Sequence, residues 1–336
     1  MARIPVPARF ALLGALLLLL AFVGLCQGGL RVGAAEILRH WFVAPDPTVD
    51  LVLRTFRVPR VLTAILGGGA LAASGLLLQT WFRNPLADAH ILGISSGAMA
   101  GVAFGTTAAS AFGISFAGRL ARFGTVCEAA AGAALACAAL VLFARAVRGK
   151  TALLVAGVML GYLCAAVVST LLWCAGAEET RAFALWSMGS FSHVELRALP
   201  VAFLFAALGG ALGFSATREL DALLLGDDGA RSVGVDLNRA RAKILGAAAI
   251  LSGTVCAFCG PVGFVGLAVP HIARRVLGTV RHRALMPFCW LCGGVLGLAA
   301  MTASEASGGA VPLNAVTALL GAPVVLSVLV DGARRG

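Results

Sequence analysis

The chain has 336 residues, of which 60% are hydrophobic and only 12% are charged, whereas about 25% of the residues in a soluble domain are charged. This composition excludes an ordinary soluble domain and indicates a polytopic membrane protein. The net charge of +11 does not indicate nucleic-acid binding, because no basic run has the length or the interleaved aromatic residues of such a site.

Ten apolar runs follow one another along the chain. A helix needs about 20 residues to cross the hydrocarbon core of a bilayer, and the runs are near that length. We therefore predict an all-α protein in which about ten transmembrane helices form one bundle and one domain, residues 1–336, although residues 244–280 could be divided differently. The predicted spans are residues 10–29, 58–82, 91–112, 124–144, 152–175, 198–216, 244–259, 261–280, 285–303 and 311–330.

Basic residues in the short loops predict how these spans are oriented. If the N-terminus is inside, the basic loops at residues 145–150 and 274–283 are also inside, as the positive-inside rule requires, and so is the C-terminus. Residues 31–60 break the rule, since five arginines, at positions 31, 39, 54, 57 and 60, would lie outside. Two explanations stay open: an acidic partner protein that binds there, or an ordinary exception to the rule.

The third predicted span carries glycine at every fourth position. These glycines fall on one face of a helix, where the missing side chains let a neighbouring backbone approach closely. We therefore predict that this span packs inside the bundle and is not a lone anchor. The positions are Gly93, Gly97, Gly101 and Gly105.

The longest charged stretch, residues 217–243, lies inside in the predicted orientation. Five basic and five acidic side chains balance there, apolar side chains alternate with them, and Gly226 and Gly234 divide the stretch into two short helices. We predict a helical elbow on the cytoplasmic surface that binds another protein; a solvated connector is the alternative. The segments outside the spans are too short to fold as a separate domain, so the energy for transport would come from a partner chain or an ion gradient.

Residues 260–271 contain two prolines and three glycines within an apolar stretch. This composition breaks a membrane helix, and broken backbone at membrane depth is tolerated only where protein or a water-filled cavity satisfies it. We therefore predict that the stretch contributes to a translocation path. His271, Glu128 and Glu305 are further ionisable candidates, although each could lie at the membrane interface. The predicted path residues here are Gly260, Pro261, Gly263, Gly266 and Pro270.

Three short motifs suggest chemistry but lack the surroundings that the chemistry needs. Gly149-Lys150-Thr151 resembles the end of a phosphate-binding loop, yet Ala144 replaces the required glycine and no strand precedes it. Residues 93–97 match a hydrolase nucleophile motif without its strand-to-helix turn. The Cys-x-x-Cys pairs at 256–259 and 289–292 fall at opposite ends of their spans and could not share a zinc ion. We therefore predict no catalytic, cofactor-binding or metal-binding site in this chain.

In combination, the motifs of the chain resemble the permease subunit family of type II ABC importers for iron-siderophore, haem and cobalamin. The resemblance extends from about Val49 to the C-terminus. The motifs are Arg57-Val-Pro-Arg60; Gln79 with Asn84-Pro-Leu-Ala87 and Gly93-Ile-Ser-Ser-Gly97; Leu225-Gly226 with Ala230 and Gly234; Gly260-Pro-Val-Gly-Phe-Val-Gly-Leu267 with Pro270-His271 and Arg274; and Thr317 with Leu320-Gly-Ala-Pro323.

The resemblance implies a dimer of two such chains that encloses a central pathway between the copies. A pair of cytoplasmic ATPase subunits would drive it; they would use ATP and magnesium, and this chain would bind neither. The ATPase would engage the coupling-helix segment within residues 217–243. The residues that match this segment are Leu225, Gly226, Ala230 and Gly234.

The resemblance also implies an extracytoplasmic binding protein whose acidic residues meet Arg57 and Arg60. That contact would explain why these arginines break the positive-inside rule. In some family members a Thr-Ser pair narrows the cytoplasmic gate. Thr151 matches the second position of the pair, but Lys150 stands at the first, and this departure puts a conventional gate in question.

We therefore predict the permease subunit of an ABC importer in the bacterial cytoplasmic (inner) membrane, surrounded by membrane lipid. Its predicted cargo is an iron chelate, with ferric siderophore preferred and haem or cobalamin as alternatives. Nucleic acid is not an expected partner. A transporter driven by an ion gradient stays open as a second hypothesis, although it needs ionisable residues at mid-membrane, and few are present here.

Overall fold

The computed structural model describes residues 5–28, 32–111, 119–147, 149–308 and 310–333. Four arginines that contributed to the predicted orientation, at positions 31, 148, 334 and 335, lie outside these ranges. The regular elements within them are helical, which confirms the predicted all-α class. The helices are α1 (Val6–Cys26), α2 (Ala34–Phe42), α3 (Pro47–Val52), α4 (Val58–Phe82), α5 (Ile94–Ala111), α6 (Arg119–Ala146), α7 (Lys150–Cys174), α8 (Ala177–Ser187), α9 (Leu199–Ser215), α10 (Thr217–Leu223), α11 (Asp227–Ser232), α12 (Leu237–Cys259), α13 (Val265–Leu277), α14 (His282–Ala306) and α15 (Leu313–Ala333), with a π-helical turn (Leu53–Arg57) between α3 and α4.

Each of the ten predicted spans coincides with a helix, but the count of ten membrane crossings is not confirmed. Among the described residues, six stretches are long and apolar enough to cross a membrane, or seven if α9 and α10, which meet at a 48° bend, form one span. The count falls short partly because α13 has only 13 residues. The six stretches are Val6–Cys26, Pro47–Phe82, Phe123–Ala144, Lys150–Cys174, Leu237–Cys259 and His282–Ala306.

Helix α4 lies at the centre of the bundle, with 21 of its 25 residues buried, as expected of a helix that is apolar on every side. Glycines let α14 approach it closely. A Cβ at Gly68 would overlap the Gly293 carbonyl, and one at Gly297 would overlap the Ala64 carbonyl. Because the hydrophobic effect is weak between helices in lipid, this close backbone packing is what holds the two helices together.

Helix α5 packs on α6 through glycines on the predicted face. A Cβ at Gly101 would overlap the Glu128 carbonyl, and one at Gly97 would lie only 2.7 Å from the Gly132 carbonyl oxygen. A Cβ at Gly105 would overlap the Glu128 side chain. Bulk at Gly97 or Gly101 would therefore push α5 and α6 apart, whereas bulk at Gly105 would displace the Glu128 side chain.

Gly93 belongs to a different contact from the other glycines of its motif. It precedes the first residue of α5 and has a φ of 80°, a dihedral that glycine adopts at little cost. A Cβ there would lie 3.1 Å from the carbonyl oxygen of Gly157 on α7. The predicted glycine stripe therefore faces two helices, α6 and α7.

The bundle has two polar ends, which we name by the groups that occupy them. The arginine end holds Arg57, Arg60 and Glu305, where α1 and α14 end and α4 begins. The elbow end holds α10 and α11 and the first turns of α7 and α14. Arg9 of α1 donates a hydrogen bond of 2.6 Å to the Leu277 carbonyl, so α1 begins at the same end of the bundle where α13 stops.

Residues 217–243 form α10, α11 and the first turns of α12. Gly226, with a φ of 92°, separates the two short helices, and Gly234, with a φ of 87°, follows the second. Asp236 caps α12, because its carboxylate accepts two backbone N–H hydrogen bonds at 2.9 and 3.2 Å. The last residues of the predicted loop therefore belong to the first turns of α12. We call residues 217–236 the elbow.

Candidate functional site

The break between α12 and α13 is held by one amide side chain. Gly260 ends α12 with a φ of 74°, and Phe264 precedes α13 with a φ of 67°. Asn314, at the start of α15, donates to the Pro261 carbonyl at 2.7 Å and accepts from the Gly263 N–H at 3.0 Å. The Pro261 carbonyl and the Gly263 N–H, both in the break, therefore have hydrogen-bond partners within the protein. The sequence analysis missed Asn314, although an amide within an apolar run was a visible signal.

Pro270 creates a second irregularity, inside α13. Because proline has no N–H, the carbonyl four residues earlier, that of Gly266, has no helical donor. The side-chain amide of Gln79 on α4 replaces it and donates to that carbonyl at 3.2 Å. The same side chain accepts a hydrogen bond from Arg274 Nη1 at 2.9 Å. Gln79 therefore supports α13 on both sides of the proline.

The predicted path residues do not line one open passage in the single chain. Four of them are buried, and Gly263 is half-buried. A Cβ at Gly263 would meet no described atom within 4 Å, so this is where the broken segment borders open space. The role of the segment in a path stays a prediction. The four buried residues are Gly260, Pro261, Gly266 and Pro270.

Lys150 and Thr151, the predicted gate residues, begin α7 at the elbow end. Thr151 is exposed, whereas Lys150 forms an ion pair of 2.5 Å with Asp227, the first residue of α11. The Lys150 ammonium also lies 4.5 Å from the centroid of the Trp81 ring, which is within the range of cation–π attraction. Lys150 therefore connects α7 to both α4 and α11.

A second set of polar contacts attaches α10 to the bundle. The buried His282 ring pairs through Nδ1 with Asp221 at 2.7 Å and through Nε2 with the Thr80 hydroxyl at 3.0 Å. Glu219 forms an ion pair of 2.7 Å with Lys243 on α12. These contacts fix α10 to α4, α12 and α14. No local sequence pattern predicts these contacts, since Thr80 and His282 are 202 positions apart.

The elbow has one face against the bundle and one face that is exposed. Of the predicted coupling residues, Ala230 is fully buried, whereas Leu225 is 69% exposed. Exposed apolar groups that cluster on a polar surface are typical of protein-binding sites. The exposed apolar side chains of the elbow are Leu224, Leu225 and Val233.

The two arginines predicted to dock a binding protein are buried in the arginine end. Arg57 is 2% exposed, and its Nη1 donates to the carbonyls of Leu25 at 2.7 Å and Val32 at 2.6 Å. Arg60 is 6% exposed and pairs with Glu305 at 2.9 Å. In the single chain these guanidinium groups are turned inward, because carbonyls at the end of α1 lack helical donors and accept their hydrogen bonds. The docking role stays a prediction, and it requires these contacts to open.

Within the described ranges, no group of three or more His, Cys, Asp or Glu side chains is placed to hold a metal ion. The two cysteine pairs contact different helices: Cys256 lies against the Ser95 carbonyl and Cys289 against the Ala72 carbonyl. On α6, the buried Oε2 of Glu128 has no hydrogen-bond partner in the part of the chain that the structure describes. One oxygen of this carboxylate, inside a predicted span, is therefore unpaired among the described residues.

A cavity of about 960 Å³ lies between α6, α9 and α12. Its walls are mostly apolar, and one end carries His193, Glu195 and Arg197. None of the predicted gate, path or coupling residues lines it. The cavity is therefore separate from the candidate site at the elbow and the broken helix.

Comparisons with known proteins cover almost the whole chain. It matches the model of the FecCD transport family over residues 16–331. It is 35% identical over 318 residues, 94% of each chain, to the hemin transport system permease protein HmuU of Yersinia pestis. The vitamin B12 import system permease protein BtuC of Escherichia coli O157:H7 is 35% identical over 326 residues, which cover 96% of this chain and 94% of the relative.

The fold agrees with a solved structure described as an inward-facing conformation of a metal-chelate type ABC transporter. The two superpose with a TM-score of 0.81 at 29% identity, and the match covers 97% of this chain and 99% of the other. The matched ranges include the elbow, the broken helix and the start of α7. From the family match and the two relatives, we conclude that this chain belongs to the FecCD transport family.

Proposed function

We propose that this chain is the permease subunit of an ATP-driven importer in the cytoplasmic membrane. Family membership supports the class, since the two relatives named above are described as permeases of transport and import systems. The observation in the structure that carries the proposal is the elbow. Polar contacts attach one side of it to the bundle, and the other side presents exposed leucines and a valine at the end of the molecule.

In this proposal the chain supplies the passage and its partners supply energy and cargo. A pair of cytoplasmic ATPase subunits, using ATP and magnesium, binds the exposed face of the elbow. A second copy of the chain completes the pathway, and an extracytoplasmic binding protein delivers the substrate at the arginine end. The finer topology is about ten crossings with both termini in the cytoplasm.

The proposed cargo is a bulky metal chelate. The relatives named above divide between haem and vitamin B12, and the structural relative is described as a metal-chelate transporter. Ferric siderophore, the first choice from the sequence, has no further support from them. The test therefore includes haem, vitamin B12 and ferric siderophore without preference.

The test is uptake into proteoliposomes that contain the permease with its ATPase partner and binding protein. We expect one of labelled haem, vitamin B12 or ferric siderophore to accumulate with ATP and not with a non-hydrolysable analogue. Leu225→Asp on the exposed face of the elbow should abolish ATPase binding and uptake. Arg231→Ala, which removes an exposed pair with Asp228, is the matched control and should leave both intact. Equal uptake with ATP and with its analogue would disprove the proposal.

A gradient-driven transporter is the second candidate, and Glu128 is the observation that favours it. Within the described ranges, one buried oxygen of this carboxylate has no hydrogen-bond partner, and ionisable groups inside membrane spans often belong to proton relays. On that hypothesis, an ionophore should stop uptake and Glu128→Gln should abolish it, with ATP making no difference. If uptake instead follows ATP and survives Glu128→Gln, the second candidate is excluded.

A further inference from the structure

We propose that the Lys150–Asp227 ion pair is the link through which movement of the elbow reaches the first turn of α7. The inference rests on the proposed function, in which an ATPase acts on the elbow. Lys150 is a positioning residue in this scheme, because it acts through α7 and contacts no cargo. The sequence resemblance places a gate at this position, and the ion pair supplies a connection that the gate motif does not contain.

The two halves of the elbow are attached to different parts of the molecule. Asp221 and Glu219 fix α10 to α4, α12 and α14, which are central helices with many buried residues. Asp227 instead attaches α11 to the start of α7. A force applied to the exposed face of the elbow therefore acts on α10, which is fixed to the central helices, and on α11, which is attached to the start of α7.

Glycines stand directly before both members of the pair. Gly149 precedes Lys150 with a φ of 103°, and Gly226 precedes Asp227 with a φ of 92°. Crowding does not require either glycine: no described atom lies within 4 Å of a Cβ at Gly149, and the nearest to one at Gly226 is the end of a flexible arginine at 3.5 Å. Glycine with free space around it provides rotational freedom at each end of the link.

The first turn of α7 has no stabilising group of its own. Gly149 provides no side-chain cap, the turn contains no acidic residue, and Lys150 places a cation at the positive end of the helix dipole. The Asp227 carboxylate compensates for this from another helix. If α11 moves away, the uncapped start of α7 keeps an unfavourable charge, and the first turn should fray.

Within the chain, packing holds this turn through one buried side chain, that of Leu153. Of the 25 residues of α7, only Leu153 and Gly157 are buried within the chain. A helix with so few buried side chains depends more on its terminal contacts, and local opening begins where buried contacts are few. The ion pair is therefore placed where a small change can open or close the beginning of α7.

Hydrogen exchange on the isolated permease tests the local link without an ATPase. In Asp227→Asn, the amides of residues 153–156, which bond back to the first turn of α7, should exchange about two- to fivefold faster, the ratio expected for one uncompensated cation at a helix start. Lys150→Ser removes the cation. In this background Asp227→Asn should not change the exchange of these amides any further. The matched control is Glu219→Gln, which breaks the corresponding ion pair of α10 and should leave α7 unchanged. Unchanged exchange in Asp227→Asn would overturn the link.

Transport measurements on the assembled importer test whether the ion pair couples ATP hydrolysis to transport. Either single charge reversal, Lys150→Asp or Asp227→Lys, should lower cargo transported per ATP hydrolysed at least fivefold, and the double reversal should recover most of it by restoring the pair with exchanged signs. A double variant as poor as the singles would overturn the proposal. If the exchange results hold but the wild-type complex shows no ATP-dependent uptake, the proposed function fails and the local link stands.

Discussion

Helices α4 and α7 have the same length and are both apolar enough to cross a membrane, yet their surroundings are opposite. Each has 25 residues; 21 are buried in α4 and two in α7. Apolar composition therefore does not say whether a helix meets protein or lipid. The glycines differ as well. Gly68 and Gly75 of α4 touch the backbones of α14 and α13, whereas α7 approaches a neighbouring backbone at Gly157 and has only ordinary contacts at Gly161.

The exposure of α7 leaves a large apolar surface within the single chain, and in the proposed dimer a second copy would cover it. Its exposed side chains include large apolar and aromatic groups along its length, and Trp173 is 91% exposed. Because α4 is surrounded within its own chain, it has no such surface to offer. The comparison separates a helix that holds the fold from one that is free to move and to pair.

The largest effect is expected from side-chain bulk at the contact of α4 with α13. A Cβ at Gly75 would overlap the Gly266 backbone, and no flexible side chain can move to make room. We expect Gly75→Val to cost more than about 4 kcal/mol and to leave little folded protein in detergent. Gly161→Val on α7, where the nearest atom is 3.6 Å away, is the matched control and should cost about 1 kcal/mol or less. Size-exclusion profiles that show the two variants equally well folded would contradict the difference in packing between α4 and α7.

The next largest effect concerns the start of α4 at the arginine end. Arg60→Met would leave Glu305 without its cation and the Gly24 carbonyl near the end of α1 without this donor, and we expect a loss of about 2–4 kcal/mol. Arg54→Met, which removes a mostly exposed pair with Asp50, should cost less than about 0.5 kcal/mol. Thermal unfolding in matched detergent measures both. Equal melting temperatures would show that burial of Arg60 does not contribute to the fold.

Local patterns made much of this architecture predictable. Apolar runs located the ten corresponding helices, and glycines located both the α5 contacts and the turns of the elbow, because these features depend on a few neighbouring residues. The number of crossings was not confirmed among the described residues, in part because α13 begins after a break and has only 13 residues.

Tertiary pairing was not predictable in the same way. Arg57 and Arg60 were expected at the surface because a charge count cannot show that helix-end carbonyls are close by. Asp227 was missed as the partner of Lys150 because 77 positions separate them. A single sequence records which residues need a partner, and the fold determines which partner they meet.

A third prediction tests the exposed face of α7 without altering the stability of the chain. A photo-crosslinking amino acid in place of Tyr162, which is 68% exposed, should produce a species of twice the chain mass in membranes. The same group in place of Phe203 on α9, which is 64% exposed, is the control and should react with lipid. Crosslinking to a second chain from Phe203 but not from Tyr162 would place the dimer surface on the other side of the bundle.

The smallest effect is expected where the stretch that contains α4 begins, at the exposed cap of α3. Backbone N–H groups of Thr48 and Val49 donate to the Asp46 carboxylate and hold its pKa below the ordinary value. A lowered pKa means that the cap stabilises α3 at neutral pH and loses this contribution as the pH falls below about 4. Asp46→Asn keeps the acceptor but cannot titrate. At pH 7 the amides of residues 50–52 should exchange at the same rate in the wild type and in Asp46→Asn. Below pH 4 they should exchange faster in the wild type than in the variant. Identical profiles at both pH values would show that the negative charge of the cap contributes nothing to the stability of α3.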